Sequence, residues 1–176
     1  MRRVLNAIDR VFTLATAIAF SSALIAVALT VADVVLRAAS SLVGLATGQR
    51  APWAVPGLVD LNQLAIMTCA ALAIAVAFYR GGHVGVDVVT ELMPSRLRRG
   101  FSGLASGLGA LLCLGMAWAG AREMLGQIAF PTKSATLGIA FTWYWAPLLA
   151  GLALSALGAA TAGLRRLAEG EERSHV

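Results

Sequence analysis

Apolar residues fill four long runs along this chain, and polar residues gather between them. The runs cover about 11–37, 58–78, 101–125 and 137–164. None alternates with period two, which argues against the short amphipathic strands of a membrane barrel. Each run has the roughly 20 residues that a helix needs to cross ~30 Å of hydrocarbon, and a helix satisfies its own backbone groups in lipid. The pattern predicts an all-α membrane protein of four transmembrane helices, with residues 1–176 as a single transmembrane domain. Val11 to Leu36 is broken only by Asp33. It exceeds the roughly 7–15 apolar residues of a cleaved signal peptide, so it reads as a retained span, with a signal peptide as the alternative. Ala38 to Gly57 reads as a loop on the strength of Gln49, Arg50, Pro52 and Pro56. Gly126 to Thr136, with Pro131 and Lys133, reads as another, and 165–176 as a charged, frayed tail.

One well-charged passage interrupts the middle of the chain, Tyr79 to Pro94. Gly81 and Gly82 end the preceding helix, and Pro94 closes the passage. His83, Asp87 and Glu91 recur every four residues, which puts them on one helical face. Val84, Val88, Val89, Leu92 and Met93 fall on the other. This spacing predicts a short amphipathic helix over about 83–93, lying in the membrane interface between the second and third spans. A solvated turn is the plainer alternative.

Composition agrees with the pattern. Of 176 residues, 59% are hydrophobic and 13% charged, against about 25% charged in soluble domains. The net charge is +5, but no basic patch interleaved with aromatics lies outside the apolar runs, so no nucleic acid partner is indicated. Charge distribution sets orientation instead. The termini and the second loop hold Arg2, Arg3, Arg10, Arg80, Arg96, Arg98, Arg99, Arg165, Arg166 and Arg173; the other two loops hold Arg37, Arg50, Arg122 and Lys133. Ten against four predicts cytoplasmic N- and C-termini and a cytoplasmic Tyr79–Pro94 passage. In a bacterial inner membrane the other loops face the periplasm.

Catalytic chemistry has little footing. Cys69 and Cys113 lie in apolar runs without metal-ligand spacing and act as small hydrophobes. His83 and His175 lie outside the spans, whereas a membrane haem needs histidines inside them. No nucleophile–base pair or phosphate-binding glycine loop occurs. The expectation is a non-enzyme without a cofactor or metal of its own.

Helix association in lipid relies on small residues and polar contacts. Three seams offer themselves: Ala65, Cys69, Ala73 and Ala77; Gly103 and Gly107; and Gly151, Ser155, Ala159 and Gly163. They predict a compact bundle, with the partner either internal or another subunit. Asp33 and Arg37 stand four apart near the outer end of the first span; Asp60, Asn62 and Gln63 stand at the outer end of the second. The two groups share a depth and read either as a polar clasp or as a subunit interface. Trp53, Trp143 and Trp145 mark the periplasmic edge, as bilayer anchors or as a docking surface. Trp118, near the middle of the third span, reads as packing.

With these residues in view, the chain resembles the small integral membrane subunit of TRAP transporters, the DctQ-like small permease family. The family commonly carries a glycine–histidine–aliphatic–x–valine–aspartate signature after its second span, and Gly82, His83, Val84, Val86 and Asp87 match it in order. DVVLR at Asp33–Arg37 is similar to the family's first-span ending, and SATLGIAFTWYWAPL at Ser134–Leu148 resembles its fourth-span pattern. Asp60 stands where the family usually has Glu, and Ala140 where it usually has Pro. The first periplasmic loop also looks long. The resemblance implies a tripartite system. A periplasmic substrate-binding protein captures an organic acid, a large elevator-type membrane subunit carries it with sodium, and the small subunit is a non-transporting scaffold. Sodium coupling then belongs to the partner subunit, and membrane lipids are the remaining partner. His83 and Asp87 are expected to fix the interfacial helix.

Three other classes fit a small membrane protein. The small subunit of another tripartite carboxylate transporter has few spans too. A membrane anchor of a redox complex lacks support without histidines in the spans. A self-sufficient exporter needs an acidic residue deep in a span.

Overall fold

The computed structural model describes residues 2–49, 52–81 and 95–172. Among them are four helices: α1 (Arg2–Thr47), α2 (Leu58–Tyr79), α3 (Ser95–Ala129) and α4 (Thr142–Glu172). Among the described residues no strand forms, and an antiparallel bridge joins Lys133 to Ala140. Each helix contains a segment long and apolar enough to span a membrane: Leu5–Thr47, Leu58–Tyr79, Gly103–Ala129 and Thr142–Leu164.

Several helix boundaries differ from the sequence expectation. The first helix does not stop near residue 37. It runs on to Thr47, because Ala38–Thr47 contains no proline and only one glycine, and it stops where Gly48 turns left-handed and donates its N–H to the Gly44 carbonyl at 2.9 Å. The third helix begins at Ser95, directly after Pro94, so the basic cluster belongs to a helix rather than a loop. The fourth begins at Thr142, five residues later than the apolar run, because 133–140 is committed to the bridged turn. Its far end continues through the charged segment to Glu172, so a charged tail is no bar to helix.

The helices follow one another as an open chain of neighbours rather than a closed bundle. α1 packs on α2, α2 on α4, and α4 on α3. At 46 residues α1 is about 69 Å long, far more than a bilayer needs. Only its middle part accompanies α2. At one end Phe12 stacks on Tyr79, ring centroids 4.0 Å apart, and the Tyr79 hydroxyl donates to the Asp9 carboxylate. At the other the Asn62 amide donates to the Thr30 hydroxyl at 2.8 Å. Ala15, Ala19 and Leu72 form the buried cluster between α1 and α2, with Val76 and Leu154 against it.

α4 carries the closest packing. Gly151, Ser155, Ala159 and Gly163 are all buried along it, as their four-residue spacing suggests. A Cβ on Gly151 would lie 2.6 Å from the Ala71 carbonyl oxygen, and one on Gly158 would lie 2.9 Å from the Tyr79 nitrogen. On the α3 side a Cβ on Gly163 would meet Ser106 Cβ at 3.0 Å, and one on Gly120 would meet the Trp145 ring at 3.0 Å. The seam of α2 is a different one from the row expected. Ala71 and Ala75 are buried and Ala73 is exposed, so the contact face lies two residues away, across the helix. Gly107 of the expected GxxxG faces open space, so it takes no part in packing between these helices. Trp118 is likewise 71% exposed and does not pack inside the chain.

These contacts generate a direct comparison. Gly151→Leu and Gly158→Leu should each lower stability by about 1–3 kcal/mol, the usual cost of overpacking, whereas Gly107→Leu should leave it unchanged. Thermal unfolding in detergent, followed by circular dichroism, checks this.

Candidate functional site

Polar residues of the spans gather where two loops meet the heads of α2 and α4 and the flank of α1. Backbone groups in such loops need partners, because lipid and the protein interior supply none. Two carboxylates provide them. Asp33 is 5% exposed. Its Oδ1 accepts the Val55 N–H at 2.8 Å, which pins the 52–57 loop, and its Oδ2 accepts the Arg37 Nε–H at 2.6 Å. Arg37 lies one turn further along the same face, which lets the two side chains meet.

Asp60 is 4% exposed and sits in the first turn of α2, where a negative charge suits the helix dipole. Its Oδ2 accepts the Leu137 N–H at 2.7 Å, and the side chains of Ser134 and Thr136 also hydrogen-bond to it. The receiving turn is built for this. The Ser134 N–H donates to the Ile139 carbonyl at 2.8 Å and the Phe141 N–H to the Thr132 carbonyl at 3.1 Å, while Ser134 Oγ takes the Ile139 N–H at 2.9 Å. Gly138, at φ 67, closes the turn. Tyr144, 3% exposed, donates its hydroxyl to the Asp60 backbone carbonyl at 3.2 Å. Gly57 completes the junction: it starts α2 at φ 68, and a Cβ there would lie 2.1 Å from Leu137 Cγ. Only glycine lets the turn settle on the head of α2.

The expected site residues thus take separate stations. Asp33 with Arg37, and Asp60, share one end of the fold, but each carboxylate anchors a different loop. Direct side-chain contact between α1 and α2 at this level comes from Asn62 and Thr30. Gln63 is exposed. Trp53 and Trp143 are 46% and 67% exposed, whereas Trp145 is half-buried over Gly120. Gly82, His83, Val86 and Asp87, together with the whole interfacial helix expected over 83–93, lie outside the described residues. Among the described residues no group of three potential metal ligands occurs. Sequence reasoning passed over Gly57, took Tyr144 with Trp143 and Trp145 as an aromatic belt or docking group, and met Leu137 only as part of the fourth-span pattern that resembles the family's. Tyr144 stands seven residues before Gly151, on the same face as the small-residue seam, and that register was its available signal. The pattern does not reveal what Leu137 does, because its role depends on Asp60 being brought to it from 77 residues away.

The family profile described as "Tripartite ATP-independent periplasmic transporters, DctQ component" matches residues 26–169. The chain belongs to this family. It is a small subunit of a TRAP transporter, a multi-pass membrane protein and a transporter component rather than a member of an enzyme family. No curated protein matches it. Ala140 stands where the resemblance leads one to expect proline. The bridge bonds use the Ile139 carbonyl and the Phe141 N–H, so the Ala140 N–H is not needed for them.

Removing the Asp60 carboxylate should free the turn without unfolding the helices. In Asp60→Ala, amide exchange at Leu137 and Ile139 should quicken by about an order of magnitude, measured by hydrogen–deuterium exchange, while Tyr144→Phe should produce a smaller change at the same amides.

Proposed function

We propose that this subunit is the non-transporting scaffold of a TRAP transporter. In this reading it braces a large elevator-type membrane subunit during sodium-coupled uptake of an organic acid delivered by a periplasmic binding protein. Sodium binding belongs to the large subunit, and this chain carries no cofactor. It sits in the bacterial inner membrane with both termini and the 79–94 passage in the cytoplasm, by the ten-to-four distribution of basic residues.

The use made of the two buried carboxylates carries this reading. A carrier needs polar groups near the bilayer midplane, where they grip a solute or a coupling ion. Here Asp60 stands in the first turn of α2 and Asp33 is bonded to the loop that leads into α2, with their oxygens engaged by loop amides and by Arg37. Both charges hold the shape of the protein. Glycine contacts from α4 to α2 and α3 add to the same rigidity. His83 and Asp87, the family's signature pair, fix an interfacial helix on the cytoplasmic side, and the Trp53 and Trp143 edges are where the periplasmic protein docks.

Vesicle reconstitution tests the assignment. The chain alone should move no solute, and omission of it from the full three-component system should abolish sodium-driven uptake. Accumulation by the chain alone overturns the reading. Separately, His83→Ala and Asp87→Ala should reduce co-purification of the large subunit and cut uptake several-fold; unchanged assembly and uptake would remove the pair from the mechanism.

A further inference from the structure

A groove of about 460 Å³ runs between α1 and α2. Its lining includes the small side chains of Ala26 and Cys69 and the larger, exposed ones of Val27 and Ile66. It extends from Ala23 to Val31, eight residues or about 12 Å along α1. A helix of that length is a cylinder of about 1,000 Å³, so the space suits a single flexible chain and not an inserted helix. The loop-ward end turns polar at Thr30 and Asn62. The Asn62 amide nitrogen is engaged with Thr30, but Oδ1 is buried and accepts no hydrogen bond. A buried acceptor left empty costs the full desolvation of that group.

Arg37 stands seven residues beyond Thr30, two turns along the same face of α1. Its Nε is held by Asp33, which draws the guanidinium one turn back toward the groove, yet the side chain is 63% exposed. Terminal N–H donors are therefore available in a fork that matches a phosphate. Asp33 is the nearby negative charge. Its two oxygens are already taken by the Val55 N–H and by Arg37. From Ala23 upward the order is apolar slot, polar collar, cation.

We propose that this groove binds one bilayer phospholipid. An acyl chain fills the slot, the phosphate sits on Arg37, and a headgroup that carries an N–H or O–H donor folds back beside the phosphate to supply the hydrogen bond missing at Asn62 Oδ1. Ethanolamine and glycerol headgroups have such a donor; choline has none. The lipid completes the open side of the α1–α2 pair, and its binding stands independently of the scaffold role.

Native mass spectrometry of the full chain with added phosphatidylethanolamine, phosphatidylglycerol or phosphatidylcholine tests this. The first two should be retained several-fold more than the third. Cys69→Phe, which fills the slot, and Arg37→Gln should each lower retention to the phosphatidylcholine level, while Arg37→Lys should keep most of it. Should Cys69→Phe fail to fold, as judged by its unfolding midpoint, Ala23→Leu narrows the same slot. Equal retention of the three lipids overturns the proposal, as does full retention in both the slot-filling and Arg37→Gln variants. Displacement of the lipid whenever the large membrane subunit is bound would make the groove a subunit contact and also overturn it. None of these readouts involves transport, so failure here leaves the scaffold reading intact.

Discussion

Close backbone approach along one face of α4 holds this protein together. In lipid the usual reward for burying apolar surface is missing, because the solvent is as apolar as the side chains. Contact must then come from atoms that get near enough for dispersion and dipole forces to accumulate. Gly151 against Ala71, and Gly158 against the backbone at Ala75 and Tyr79, provide that on one side; Gly163 against Ser106 provides it on the other. α4 is thus the element on which both α2 and α3 depend, and α1 is attached through α2.

The loop end inherits its order from this packing. Once α4 is fixed against α2, Tyr144 reaches the Asp60 carbonyl, and the turn before α4 lies over the head of α2. Gly57 then has to be glycine, because Leu137 occupies the space of a side chain. The same logic gives Asp33 its partner in the 52–57 loop. Two carboxylates that are costly to bury become inexpensive once each replaces its water with loop amides and hydroxyls or a guanidinium. In this small TRAP subunit both loops that meet the head of α2 are therefore tied down by a buried carboxylate.

α1 is the exception to this economy. It is longer than the bilayer and leaves many large apolar residues exposed, among them Ile18, Phe20, Leu24 and Leu45. In a membrane protein these face lipid or a companion subunit, and the groove beside Thr30 lies on this less crowded side. α3 shows a similar face at Leu111, Leu112 and Trp118. The open chain of helices therefore gives two broad apolar flanks, where the small-residue seams had suggested a compact bundle.

The sequence alone determined what depends on local composition measured against bilayer thickness. Four apolar runs of spanning length give four spanning helices wherever their neighbours lie, the four-residue row Gly151–Gly163 marks a packing face, and the DctQ-like motifs disclose the family. Helix ends were less legible, since a span ends where polarity rises, whereas a helix ends only where a breaker such as Gly48 or the 133–140 turn stops it. Only the tertiary structure decided which small residues of α2 are used, that Gly107 packs against nothing among the described residues, and that Asp33 and Asp60 serve two different loops. Those outcomes rest on contacts between residues 22 to 84 positions apart. Such distant pairs leave no trace in a hydrophobic period, because the period records which face is apolar and not which neighbour will come to cover it.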